Sequence, residues 1–151
     1  GNRLAYIERI NELENSADKN ADVYMIVLDI NNFKEINDTK GHFFGDETLK
    51  KSACVIWTTF CEESCMSFRI GGDEFAVILR RYHNVEGLIK RFETAVADKF
   101  KNKPYQLSLS LGYSKCEKND SFEAVIQRAD SNMYDVKKQK KALVTTALNT
   151  N

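Results

Sequence analysis

The chain has 151 residues, of which 42% are hydrophobic, and its 22 Lys and Arg residues balance its 22 Asp and Glu residues. A chain of this length buries about 70% of its unfolded surface on folding, so we expect a single domain over residues 1–151. Because the formal net charge is zero, no overall field attracts a nucleic acid polymer or an anionic membrane, and we expect neither as a partner.

The sequence shows no pattern of a membrane anchor or a secretion signal. Its longest apolar run, residues 23–28, is far shorter than a membrane-spanning helix, which needs about 20 residues. Its first residues lack the charged-then-apolar order of a signal peptide. With a loose tail at about 145–151, the chain is interpreted as one domain taken from a longer multidomain protein. We expect it in the cytoplasm, alone or as the cytoplasmic part of a membrane-anchored sensor.

The first half of the chain predicts two helices and a strand. Apolar residues at helical spacing predict a first helix that ends near Ala17. The apolar run at 23–28 predicts a central strand that is buried on both faces and stops at Asp29. Residues 31–38 are interpreted as a polar loop, and helical spacing resumes from Asp46 onward.

The second half begins with a predicted β-hairpin. Two apolar runs, at 66–70 and 75–79, flank the Gly-Gly-Asp-Glu turn at 71–74. The remaining predicted elements are helices over 85–100 and 121–138 and a half-buried strand over 106–112. We therefore predict a mixed α/β (α+β) domain with a central, mainly antiparallel sheet flanked by helices.

Several large or reactive side chains in the predicted helices are assigned to the core. Trp57, Phe60 and Phe92 lie at helical spacings, and Tyr134 is expected to pack in the last helix. The cysteines form no CxxC pair and no zinc-ligand pattern. Cys54 and Cys61, which lie one heptad apart in a helix-periodic stretch, are therefore interpreted as buried, reduced thiols.

Acidic residues follow both the predicted central strand and the hairpin turn. Asp29 alone would be read as a strand cap, but Asp73 and Glu74 lie at the hairpin tip, and neighbouring strands would place Asp29 beside Asp73. Adjacent carboxylates repel each other unless a cation lies between them. Oxygen ligands without Cys or His suit Mg²⁺, which takes its other ligands from water and substrate phosphates. The pattern predicts phosphoryl or nucleotidyl transfer.

Around these acids lie several motifs in a definite order. Segment 29–38, the pairs at 41–42 and 45–46, and the sequence Gly-Gly-Asp-Glu-Phe at 71–75 together resemble the GGDEF diguanylate cyclases. The resemblance covers nearly the whole chain and extends to Arg69, to residues 110–112 and to residues 129–137. It implies a palm-like nucleotidyl cyclase fold and the condensation of two GTP into cyclic di-GMP and two pyrophosphates. It also implies Mg²⁺, with Mn²⁺ as an alternative ion.

The resemblance assigns roles to the acids. Asp29, the Ile30 carbonyl and Asp73 would hold the metal ion, and Glu74 is a candidate base or further metal ligand. During condensation the 3′-hydroxyl of one GTP loses a proton while charge develops on the α-phosphate of the other, which requires acids and cations close together. Because the chain offers one set of these residues and the product is symmetric, catalysis is expected in a homodimer.

The resemblance assigns guanine recognition to Asn37 and Asp46. A carboxylate can accept the N1–H and the 2-amino group of guanine, which adenine does not offer. Two structural alternatives stay open: Asn37 as a turn residue, and Asp46 as a favourable charge at a helix N-terminus.

Phosphate binding is assigned to a loop and to the last helix. Residues 31–34 would present backbone N–H groups to the β- and γ-phosphates, with Asn32, Phe33 and Lys34 as contacts and Lys34 adding charge. A solvated Lys34 is the alternative.

Lys137 matches the family's phosphate-binding lysine in the last helix. Lys140 and Lys141 stand where the family usually has Gly and Arg. Lys141 can still neutralise a phosphate but lacks the bidentate fork of Arg, so a solvated cation is its alternative.

The sequence departs from the family in the Arg-x-x-Asp motif of the inhibitory product site, because residues 62–65 are Glu, Glu, Ser and Cys. No inhibitory product site is therefore expected. The alternative function is a catalytically weak GGDEF module that binds GTP and regulates an attached domain. A plain interaction domain would leave the clustered acids unexplained.

Overall fold

A computed structural model describes residues 1–16, 22–60, 65–101 and 108–149, with side chains as far as residue 143. Its elements in chain order are α1 (Arg3–Glu14), β1 (Val23–Ile30), α2 (Phe33–Lys40), α3 (His42–Phe60), β2 (Cys65–Arg69), β3 (Glu74–Arg80), α4 (Val85–Phe100), β4 (Leu109–Lys115) and α5 (Phe122–Asn149). The four strands form one sheet in the order β2-β3-β1-β4, and every neighbouring pair is antiparallel. The predicted fold class is confirmed.

The sheet has a hydrophobic core on each face, because β1 alternates its side chains between two layers of helices. Ile26 and Leu28 belong to a cluster with Phe92 of α4, whereas Met25 belongs to a cluster with Val125 of α5. Burial of each such side chain contributes about 1.5–3 kcal/mol. The prediction of a strand buried on both faces is confirmed.

The structure corrects the prediction of a loop at 31–38, because α2 occupies most of it. Ile36 is buried and Phe33 packs against the same core, so two apolar side chains three positions apart hold one face of an eight-residue helix. α2 ends at Gly41, whose positive φ of 86° suits glycine. The next helix, α3, starts at His42, earlier than the predicted Asp46.

The last strand and helix also differ from their predicted bounds. β4 runs over Leu109–Lys115 rather than 106–112, and residues 106 and 107 lie outside the described part of the chain. Ser110 is fully buried, because helix α5 packs closely across this strand. A Cβ atom at Gly112 would overlap the backbone of Ala129 and Met133, which explains the glycine. α5 continues to Asn149, past the predicted end at about 138 and into the segment expected to be loose.

Core assignments on helices were correct only in part. Phe60 and Phe92 are buried, with ring centroids 5.1 Å apart. Trp57 is 62% exposed and Tyr134 is 58% exposed, and Cys54 is exposed as well, so these three predictions were wrong. Cys61 lies outside the residues that the structure describes. Helical spacing identifies an apolar side of a helix, but the neighbouring elements decide how wide a strip of that side is covered.

Two further findings concern the end of α1 and the question of a membrane-spanning helix. α1 ends at Glu14, before the predicted end near Ala17, which lies outside the described residues. Among the described helices, none combines the length and the apolar character that crossing a bilayer requires.

Candidate active site

Antiparallel pairing of β1 with β3 brings the acidic residues together at one edge of the sheet. Asp29 lies directly opposite Glu74 in the register, a spacing of about 4.5–5.5 Å between Cβ atoms. The N–H of Ile30 donates to the carbonyl of Asp73, with 3.1 Å between nitrogen and oxygen. The hairpin tip is therefore fastened to the end of β1, and the three predicted acids are neighbours.

Helix α5 supplies a cation to this edge. Asp29 is only 7% exposed, and its Oδ1 lies 2.6 Å from the Nζ of Lys137. A carboxylate buried to this degree needs a partner, because an unpaired buried charge is destabilising. The structure thus places the predicted phosphate-binding Lys137 on the predicted metal ligand Asp29.

The electrostatics of Asp73 reflect its crowded position. Burial raises the pKa of the Asp73 carboxyl, and the negative charge of Asp29 raises that pKa further. Both effects disfavour a second negative charge here, so a cation near the two carboxylates would offset their repulsion.

The donor set fits a magnesium ion that a substrate helps to hold. In the described part of the chain, no three His, Cys, Asp or Glu side chains converge as a ready-made metal site. Mg²⁺ characteristically uses one or two protein carboxylates and completes its octahedron with water and substrate phosphates. Asp29, Asp73 and the backbone carbonyl of Ile30 match this requirement in chemistry and number.

Arg69, at the end of β2, holds the hairpin turn. Its Nη2 donates to the carbonyl of Gly72 at 2.7 Å, and its Nε lies 3.2 Å from the carbonyls of both Gly71 and Gly72. A Cβ atom at Gly71 would overlap the Glu74 carboxylate, so a larger residue there would displace the Glu74 side chain. From the sequence, Arg69 is identified only as part of a motif. An arginine two positions before a Gly-Gly turn was the available signal for this clamp.

In the loop after β1, the backbone N–H of Asn31 was expected to bind a phosphate but has another partner. The N–H of Asn31 donates to the carbonyl of Ser108 at 2.9 Å, and its side-chain amide bridges the hydroxyls of Ser108 and Ser110 at 2.8 Å each. Because this N–H is already hydrogen-bonded within the fold, the expectation that it contacts a phosphate was wrong.

The first turn of α2 remains the candidate phosphate contact. Asn32 precedes it in the left-handed conformation with φ of 56° and makes no side-chain cap. The first N–H groups of a helix have no intrahelical acceptors, and Phe33 and Lys34 begin this helix. Lys34 is exposed, so its charge lies at the same end.

The predicted guanine-reading residues lie on two helices that touch. A Cβ atom at Gly45 would overlap the side-chain amide of Asn37, so α2 and α3 approach each other here, and Asn37 contacts the residue that precedes Asp46. Asp46 is exposed and lines a cavity of about 600 Å³ together with Leu49 and Arg69.

The geometry is inconsistent with both structural alternatives for this pair. Asn37 lies inside α2 rather than in a turn. Asp46 lies beyond the first turn of α3, which starts at His42, and the helix dipole acts mainly within the first turn. Neither structural alternative accounts for these two residues.

The lysines that follow Lys137 have different environments. The Nζ of Lys140 donates to the carbonyl of Leu109 at 2.6 Å, and burial lowers the pKa of its ammonium group. Lys140 therefore holds α5 to the start of β4. Lys141 is exposed on α5.

Residues 62–64, where the family's product-site motif would begin, lie outside the described residues.

Known proteins resemble this chain over almost its whole length. Residues 1–142 match the family model for the diguanylate cyclase GGDEF domain. The chain is 33% identical over 139 residues to diguanylate cyclase DgcS of Shewanella oneidensis, covering 91% of this chain and 47% of that protein. It is 31% identical over 146 residues to cyclic di-GMP phosphodiesterase PdeR of Escherichia coli, covering 90% of this chain and 21% of PdeR.

A solved structure has the same fold. The crystal structure of the coiled coil and GGDEF domain of DgcB from Caulobacter crescentus, in complex with c-di-GMP, superimposes with a TM-score of 0.82 at 26% identity, over 92% of this chain and 77% of that chain. The chain spans less than half the length of the two curated relatives above. The family match over 1–142 and the acids gathered at its Gly-Gly turn show that this chain belongs to the GGDEF domain family.

Proposed function

We propose that the domain is a diguanylate cyclase that condenses two GTP into cyclic di-GMP and two pyrophosphates with Mg²⁺. The observation that carries this proposal is the convergence of Asp29, Asp73 and Glu74 at one sheet edge, with Lys137 in contact with Asp29. The names of relatives such as DgcS support it. Bound Mg²⁺, or Mn²⁺ in its place, would supply positive charge for the phosphates, with Asp29, Asp73 and the Ile30 carbonyl as its protein ligands.

The chemistry can be assigned to this chain's own residues. In each half-reaction the 3′ oxygen of one GTP forms a bond to the α-phosphorus of the other, and the bond to the pyrophosphate oxygen breaks. Glu74 is exposed at the start of β3, so it can accept the proton of the 3′-hydroxyl. Lys137, Lys34 and Lys141 balance phosphate charge, while Asn37 and Asp46 hold the guanine.

The reaction requires two copies of the chain. One domain carries one such set of groups, and each GTP must be both the attacking and the attacked nucleotide. Two copies that face each other across a two-fold axis bring the hairpins and the bound nucleotides into register. We therefore infer a homodimer as the catalytic species. GTP is an intracellular nucleotide, so the proposed activity requires the domain on the cytoplasmic side.

Direct assay of the products tests the proposal. The chain is incubated at high concentration with GTP and Mg²⁺, and the nucleotides are resolved chromatographically. We expect cyclic di-GMP with two pyrophosphates per product, and no product from Asp73→Asn. Asp135→Asn is the matched control, because Asp135 is an exposed acid of α5 that pairs with Lys138 at 3.5 Å. Absence of product from the unmodified chain, or a full rate from Asp73→Asn, would refute the proposal.

A second function is favoured by two observations. PdeR contains a similar segment within a protein named for phosphodiesterase activity, and Lys141 stands where the family usually has Arg. In this alternative the domain binds GTP and regulates an attached domain. Saturable GTP binding by a chain that yields no cyclic di-GMP would support it.

A further inference from the structure

A cleft on the α5 side of the sheet reaches the same two acids. Its volume is about 480 Å³, and Asp29 and Glu74 lie in its wall together with Lys137. The rest of the lining includes four side chains of α5 at positions i, i+3, i+4 and i+7, which share one face of a helix. These are Gln127, Asp130, Ser131 and Tyr134.

The side chains of this α5 face differ from their neighbours in having no hydrogen-bond partner. Arg128 is held by Asp120 and Ser114, and Asn132 donates to the carbonyl of Tyr113 at 3.0 Å. By contrast, within residues 1–16, 22–60, 65–101 and 108–143 no side-chain hydrogen bond or ion pair engages the four cleft residues of α5. No hydrogen bond within the described chain therefore has to be broken for these exposed side chains to bind a ligand.

Charge limits what this cleft can hold. Asp29, Glu74 and Asp130 face a single cation of the lining, Lys137, and Lys137 already pairs with Asp29. A phosphate beside Asp130 would be repelled, whereas phosphates near Asp29 and Lys137 would be balanced by that lysine and by the proposed metal ion. A neutral group with several hydroxyls satisfies the carboxylate and amide groups without this repulsion.

The ring of Tyr134 adds an amphipathic wall. It is 58% exposed, and the Nζ of Lys138 lies 4.2 Å from its centroid on one face. The ring lies in the lining together with Asp130, one turn earlier on the helix. An aromatic ring beside a carboxylate suits a sugar, which has both apolar faces and hydroxyl groups.

We propose that this α5 cleft receives the ribose of the GTP that a second copy of the chain holds, and that Asp130 accepts a hydrogen bond from its 2′-hydroxyl. The inference rests on the proposed function, in which the 3′-hydroxyl of that ribose must reach Glu74. The 2′-hydroxyl is on the adjacent carbon, and Asp130 shares the cleft with Glu74. Asp130 and Tyr134 are thus binding residues for the attacking nucleotide rather than for the chain's own GTP.

Turnover with a modified sugar tests the contact. Asp130→Ala should lower kcat/KM for GTP by about tenfold to a hundredfold, the size of a lost hydrogen bond to a charged group. The unmodified chain should prefer GTP over 2′-deoxyGTP by a similar factor, and Asp130→Ala should lose this preference. The Kd of dilute protein for GTP should not change. Asp135→Ala, on the same helix, is the control. Equal losses for both nucleotides, or no loss, would overturn the proposal.

A binding measurement keeps this test separate from the proposed function. Isotope-labelled chain at NMR concentration, with Mg²⁺, is titrated with 3′-deoxyGTP, which cannot attack, and with 2′,3′-dideoxyGTP, which also lacks the 2′-hydroxyl. Both should shift the amide signals of Asn37 and Asp46, but only 3′-deoxyGTP should shift those of Asp130 and Tyr134. If GTP is not converted, the proposed function fails while this measurement still decides the cleft. Equal or absent shifts at Asp130 overturn the inference.

Discussion

The ion pair between α5 and the end of β1 should contribute measurably to stability, and Lys137→Met tests this. Methionine keeps the length and apolar stem of the side chain but removes the charge that lies 2.6 Å from the Asp29 carboxylate. Breaking a fully buried pair costs about 3–5 kcal/mol. Because the Lys137 side chain is 39% exposed, water and salt screen the pair. We therefore expect a loss of about 1–3 kcal/mol in the free energy of unfolding.

Urea denaturation of three variants isolates the contribution of the ion pair between Lys137 and Asp29. Lys138→Met is the control, since Lys138 is an exposed neighbour with a 3.5 Å contact to Asp135 and a cation–π contact with Tyr134, and its loss should be under about 1 kcal/mol. The double variant Asp29→Asn/Lys137→Met removes the orphaned charge and should recover at least half of the loss, as expected for residues in direct contact. A Lys137→Met variant as stable as Lys138→Met would refute the reasoning, and so would a double variant less stable than Lys137→Met.

The remaining predictions concern metal binding, guanine recognition, packing at Gly112 and dimerisation. Mg²⁺ should raise the melting temperature of Lys137→Met more than that of the unmodified chain in thermal scans, because a cation can replace the lost ammonium group. Asp46→Ser should weaken binding of GTP relative to ATP by about 1–3 kcal/mol in competition titrations. Gly112→Ala, whose Cβ would overlap the backbone of Ala129, should cost about 1–3 kcal/mol in urea denaturation. Gly72→Ala, which meets no atom within 4 Å, should cost far less. Specific activity should rise with protein concentration in the dilute range, and a concentration-independent rate from a monomer in sedimentation would contradict the two-copy mechanism.

The proposed absence of product inhibition depends on sequence alone. Residues 62–65 contain neither Arg nor Asp, so added cyclic di-GMP should leave initial rates unchanged except by competition with GTP. Noncompetitive inhibition, with product bound outside the active site, would contradict this.

The amino-acid sequence by itself determined the strands and the positions of the acids relative to them. An uninterrupted apolar run predicted a strand buried on both faces, and a Gly-Gly turn between two apolar runs predicted the hairpin; both signals are local, and both elements are present. Local sequence signals predicted the wrong element where a weak loop signal competed with a weak helix signal. In α2, polar residues suggested a loop, but Phe33 and Ile36 hold a short helix against the core.

Only the tertiary structure decided which side chains meet at the site. Lys137 contacts Asp29 across 108 positions of sequence, and Asn31 uses its N–H on Ser108, which lies 77 positions away. The exposure of Trp57 and the unpartnered α5 face at Asp130 likewise depend on where neighbouring elements stop covering a helix. Periodicity describes one element at a time, whereas these contacts follow from how α5 packs across β1 and β4.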